Sequence, residues 1–157
     1  MNCSGINFAC IIREDNGKEH TIQRFYYPDP LKEVSYHAIK INNLTNEKIS
    51  NLRDNNSYSI YFKDDEYIET IFEDNVNLLV GHNIKFDINF ISSAFRQNSK
   101  VNKILASARR FCTMENNKRN GKTLNLQEVC KLYNIEIDPE NYHNALWDTI
   151  AVKENIR

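Results

Sequence analysis

The chain of 157 residues carries no acidic residue before Glu14 and none from Ile88 to Met114. It has only four glycines, three prolines and four cysteines. No apolar run approaches the about 20 residues a membrane-spanning helix needs, and the N-terminus has no signal-peptide apolar segment. Cys3, Cys10, Cys112 and Cys130 are scattered without a Cys-x-x-Cys pair. That excludes a sequence-evident zinc site or disulfide frame; small buried hydrophobes in a reducing compartment, most simply the cytoplasm, are expected instead. With no linker, repeat or low-complexity tract, one domain over residues 1–157 is expected.

Hydrophobic residues make up 41% and charged residues 26%, ordinary values for a globular protein. Twenty basic residues against twenty-one acidic ones leave a net charge of −1, which favours no class of partner. The local pattern is less even. The stretch without acids from Ile88 holds Arg96, Lys100, Lys103, Arg109 and Arg110, whereas Asp64–Asp74 contains six acids.

Ile6–Arg13 and His20–Tyr27 predict two strands joined through Asp15-Asn16-Gly17, a hairpin ended by Pro28. Thr45 suits the N-cap of a short helix carrying Ile49 and Leu52. Asp64–Asn75 predicts a helix whose first acids suit the positive end of its dipole. Asn77–Val80 is a short strand punctuated by Gly81, and Phe86, Phe90, Ile91, Ala94 and Phe95 recur at helical spacing after it. Arg110–Met114 suggests another strand. Asn125 and Glu128 form a capping-box pattern ahead of Leu126, Val129, Cys130 and Tyr133, and Asn134 suits a left-handed cap. A last helix runs from about Asn144, with Trp147 expected in the core. This order predicts an α/β domain with a mixed sheet.

Three side chains stand out chemically. Asp87 sits where a strand turns into a helix, the edge at which α/β sheets bind ligands; taken alone it also reads as an ordinary first-turn acid. His143 and Asp148 are five positions apart at the start of the last helix. They converge only if His143 lies in the loop before the first turn; otherwise they are a solvent-facing histidine and a helix-surface aspartate. Together, two aspartates and a histidine can hold a divalent metal and activate water.

Gly81-His82-Asn83-x-x-Phe86-Asp87 and His143-x-Ala145-x-x-Asp148 resemble the second and third motifs of the DEDDh 3′–5′ exonucleases, the RNase H-like superfamily of the DNA polymerase III epsilon subunit. Phe25-Tyr26-Tyr27-Pro28, Ala38–Thr45, Cys112-Thr113-Met114 and Leu124–Ile135 resemble the intervening family segments in the same order. The resemblance implies an RNase H-like mixed sheet flanked by helices. It further implies hydrolysis of the terminal phosphodiester at a 3′ end of DNA or RNA, with Mg²⁺ or Mn²⁺ on Asp87 and Asp148. His143 would be the general base, and Asn83 would contact the terminal nucleotide. The basic segment with Arg96, Lys100 and Lys103 would hold the backbone of a single strand; an ordinary solvated surface is the other reading of those cations. A DNA polymerase is the implied protein partner.

The family's first motif, Asp-x-Glu on the first, central strand, has no counterpart. Cys3-Ser4-Gly5 aligns with the Thr-x-Gly that follows it, placing Asn2 where the glutamate belongs. Three states fit: an N-terminally truncated enzyme, a catalytically inactive module of the same fold binding nucleic acid or a polymerase or repair partner, or ligands drawn from Glu14 or Asp64-Asp65-Glu66. The intact later motifs favour the first.

Overall fold

A computed structural model describes residues 5–30, 44–53, 57–138, 140 and 144–156. Among these, seven α-helices and four strands give the mixed α/β class anticipated from the element order. They fall into two compact units, Met1–Asp65 with Pro139–Ile150, and Glu66–Asp138 with Ala151–Arg157. No helix is long and apolar enough to cross a membrane among the described residues.

The first unit is built on an antiparallel hairpin of β1 (Ile6–Arg13) and β2 (Glu19–Tyr26), in register from Ile6↔Tyr26 to Arg13↔Glu19. The turn closes through Gly17 at φ 88°, a left-handed conformation that glycine adopts without steric cost. Helix α1 (Asn46–Leu52) is capped by Thr45, whose hydroxyl accepts from the Lys48 N–H at 3.3 Å. Ile49, Tyr26 and Phe62 are buried, and Phe62 packs edge-on to Tyr26 at 5.3 Å between ring centres. Arg53, at the end of α1, donates to the carbonyls of Phe25, Tyr58 and Ser59 and stacks on the Tyr58 ring at 4.2 Å.

The acidic stretch expected to open a helix behaves differently. Phe62–Asp64 form a 3-10 turn, and Asp65 is only 2% exposed. Its Oδ2 accepts from the Tyr26 hydroxyl at 2.6 Å and from the Arg24 guanidinium at 2.7 Å. A buried carboxylate is tolerable when paired and hydrogen-bonded, and that is the work its two partners do. Burial and the neighbouring carboxylate push the Tyr26 hydroxyl far above its ordinary pKa, so it stays a donor.

Gly5 shows why the segment leading into β1 ends on glycine. Its N–H donates to the Leu44 carbonyl at 3.2 Å, and a Cβ there would meet the Tyr26 carbonyl oxygen at 2.7 Å as well as the Ile49 side chain. Backbone cannot step aside as a flexible side chain can. Gly5→Ala is expected to cost about 1–3 kcal/mol, the range for overpacking, read as a lower urea midpoint with an unchanged slope.

The second unit runs α2 (Glu66–Glu73), β3 (Leu78–Gly81), α3 (Ile84–Ala94), α4 (Ser99–Ser107), β4 (Arg109–Cys112), α5 (Thr113–Asn116) and α6 (Leu126–Leu132). Strands β3 and β4 are parallel, from Leu78↔Arg109 to Gly81↔Cys112. The antiparallel and parallel ladders thus lie in separate two-stranded sheets among the described residues. Helix α4 was not foreseen. Asn98 caps it by accepting from the Val101 N–H at 3.1 Å, and its amide donates to Glu69 and Glu73. The capping box at α6 forms in both directions, each bond at 2.8 Å, and Asn134 is left-handed at φ 55°. The last helix, α7 (Ala145–Asn155), begins in the first unit and ends in the second.

Candidate active site

The C-terminal ends of β3 and β4 lie side by side, because Gly81 pairs with Cys112. The residues that follow both strands make one edge. Thr113 is 1% exposed, and its hydroxyl meets His82 Nδ1 at 3.0 Å. The His82 ring also hydrogen-bonds to the Leu124 backbone; burial is the larger influence and lowers its pKa. His82 is therefore a structural brace joining β3, α5 and the segment before α6.

Asn83 takes a left-handed conformation, φ 61° and ψ 48°, and its side chain makes no capping bond to α3. Asparagine is one of the few residues that adopt this region readily. The side chain is exposed beside the helix start. One turn on, Asp87 folds back over Gly81: a Cβ on Gly81 would stand 3.5 Å from Asp87 Oδ2 and 2.8 Å from Ile84 Cδ1. The glycine thus makes room for the Ile84 side chain, with the Asp87 carboxyl at ordinary contact distance.

Crowding by the protein disfavours the charged form of this carboxyl and pushes its pKa up to about 6, and its own backbone N–H opposes the shift only in part. The residue is exposed by area. Screening by water limits the push, and its direction is upward. Perturbed acids cluster at functional sites, although structural networks also perturb them. A carboxylate held this way suits a hard cation, which would favour its charged form.

Phe86 is 68% exposed beside Asp87, where helical spacing had suggested a core face. Ile84, Ile88 and Ile91 fill that core instead. Tyr26 is fully buried, so of these two aromatics Phe86 is the one open to a ligand.

Asp148 lies in the first turn of α7, half-buried, its N–H bonded to the Asn144 carbonyl at 3.0 Å. Asn144 caps the helix by accepting from the Leu146 N–H at 3.0 Å, and Gln23 of β2 donates to the same oxygen at 3.2 Å. The Thr149 hydroxyl donates to the Ala145 carbonyl at 2.7 Å and lies 3.4 Å from the Ala9 carbonyl of β1, which sets this turn against the hairpin. Trp147, expected inside, is 40% exposed. Asp87 belongs to the second unit and Asp148 to the first. His143 lies outside the described residues, as do Met1–Ser4 with the Asn2 position and the segment 38–43.

Among the described residues no group of three His, Cys, Asp or Glu gathers as a metal site. Two of the substitute ligands have partners of their own: Glu14 bonds His20 at 2.7 Å and Asn16 at 3.0 Å, and Asp65 is held by Arg24 and Tyr26. The cations of the basic segment are exposed, and Lys100 lies 4.0 Å from Glu73. They follow the far end of α3, and at about 1.5 Å per residue Arg96 stands roughly 13 Å along from the turn that carries Asp87.

Sequence reading passed over another cationic group. Arg119 and Lys122 exchange two backbone bonds of 2.9 Å around Asn120 and Gly121, both at positive φ. Asn-Gly is the signal for such a tight hairpin.

A family model described as Exonuclease (RNase T) matches residues 4–154. The chain is 24% identical over 157 residues, 95% of its length, to a protein of Ureaplasma parvum named DNA polymerase III PolC-type. It spans 10% of that relative. A match that takes in nearly every segment described above, from Gly5 to the last helix, settles the classification: the chain belongs to the RNase T exonuclease family.

Proposed function

We propose that this chain is a 3′–5′ exonuclease domain that removes nucleoside monophosphates from the 3′ end of DNA in a polymerase or repair setting. The observation that carries this reading is Asp87, a crowded carboxyl with its pKa raised to about 6, in the Gly81–Asp87 corner of a chain that matches the family. In it, Asp87 and Asp148 hold the divalent ion, Mg²⁺ or Mn²⁺. When bound, the ion supplies charge neutralisation at the phosphate and a more acidic water. His143 accepts the proton of the attacking water, a task suited to a group whose ordinary pKa is about 6.5. Asn83, exposed and with no capping duty, contacts the terminal nucleotide.

The test uses the full natural reading frame with any upstream codons. Single-stranded DNA labelled at its 5′ end is incubated with Mn²⁺ or Mg²⁺, and a ladder shortening from the 3′ end is expected. His143→Ala is expected to slow it about 10²- to 10⁴-fold, the usual worth of a general base. Activity unchanged by both His143→Ala and Asp87→Ala overturns the site; binding without cleavage makes the domain a non-catalytic module.

A further inference from the structure

We propose that the hairpin Lys118–Lys122 is a phosphate-backbone clamp for the DNA strand entering the edge that carries Asp87. The inference rests on the nucleic-acid reading above and names the surface that performs the binding.

The placement argument is internal to the second unit. Helix α5 starts where β4 ends, and β4 ends level with Gly81. The chain from α5 to α6 therefore leaves from the same sheet edge as Asn83 and Asp87, and it is pinned there at both feet. On one side Asn117, 6% exposed, donates to the Thr113 carbonyl at 2.7 Å and accepts from the Tyr133 hydroxyl at 2.6 Å. On the other, the Leu124 backbone bonds to His82, whose ring also meets Thr113. Between these anchors stand Lys118, Arg119, Asn120, Gly121 and Lys122.

All five are exposed, and no acid occurs between Glu115 and Glu128. Lys118 pairs with Glu115 at 2.5 Å. No carboxylate among the described residues pairs with Arg119 or Lys122. Two unneutralised cations, on a backbone fixed by its own reciprocal bonds and by buried anchors, offer a preformed double contact. Little ordering remains to be done on binding. Phosphates are the fitting ligand: contacts to them hold a strand in place without reading its bases, as a 3′-end hydrolase needs. The exposed ring of Phe86 gives the same unit a surface on which a base can stack.

The test measures fluorescence anisotropy of a labelled oligo-dT strand with the full protein over a salt series, without metal. Arg119→Glu with Lys122→Glu, leaving Asn120 and Gly121 in place, is expected to weaken binding about tenfold or more and to flatten the salt slope by about 1.4, for two phosphate contacts at 0.7 each. Arg119→Lys with Lys122→Arg, which keeps the charge, is expected to retain most of the affinity. Lys100→Glu with Lys103→Glu serves as the comparison. Loss from that pair with none from the hairpin pair overturns the clamp and leaves the exonuclease reading standing. Absence of any oligo-dT binding by the unaltered protein at low salt removes the DNA-binding reading itself, and the clamp with it. A preference for oligo-U over oligo-dT would overturn the choice of DNA.

Discussion

Asp65→Ala is expected to destabilise the protein by about 3–5 kcal/mol, the cost of breaking a buried pair by removing one partner. The carboxyl is the acceptor for both the Tyr26 hydroxyl and the Arg24 guanidinium. Without it, a fully buried phenol loses this partner, and a cation whose side chain is 20% exposed loses its counter-charge. Against the total of about 5–15 kcal/mol that typical domains possess, that is a large share. Thermal unfolding should fall by on the order of 10 °C. Asp65→Asn should lie between, since it retains an acceptor for Tyr26 and gives up only the charge. A denaturant midpoint for Asp65→Ala equal to that of the unaltered chain would show the pair to be ornamental.

Asp87→Asn is expected to act in opposite directions on activity and stability. Exonuclease turnover should fall by about 10²- to 10³-fold, comparable to losing a principal electrostatic stabiliser. Stability should rise. The folded state holds the Asp87 proton up to about pH 6, whereas the unfolded chain releases it near the ordinary value of 3.8. Between those values the native state binds more protons than the unfolded one, so stability falls as pH rises through this window. The deficit is complete above about pH 6 and absent below the unfolded value. Asparagine removes it, so the gain in melting temperature should be present at pH 8 and vanish near pH 4. Because the residue is exposed by area the gain is small; its pH dependence is the diagnostic. A variant less stable at pH 8 than at pH 4, relative to the parent, would count against a crowded carboxyl.

Much of the secondary structure was legible because its signals are local. Asp15-Asn16-Gly17 marks a hairpin whose first strand has the predicted bounds, and Asn125 with Glu128 announces a capping box that forms as read. Gly81 before a polar pair marks the strand-to-helix corner. The misreadings involve partners far along the chain or weak periodicity. Asp65 looks like a first-turn acid until Arg24 and Tyr26, 41 and 39 residues away, are seen to claim it. Helix α4 buries only Val101 and Leu105, and the polar residues around them read as loop. Phe86 and Trp147 broke the rule that aromatics go inside, each on a helix whose buried face is already filled by smaller aliphatic residues. For the site, spacing located the Asp87 corner and the Asp148 turn. It points to the cations after α3, while those flanking Asn120-Gly121 sit on a two-residue turn that no periodicity marks.

Arg53 has a further consequence for how the first unit opens. A helix as short as α1 is marginal by itself. Its closing residue is lashed by one guanidinium to the end of β2 and to the Tyr58-Ser59 segment. Fraying of α1 thus requires three carbonyls from two other segments to let go together. In native-state amide exchange these pieces are expected to open as a single cooperative foldon, the helix borrowing its lifetime from the sheet.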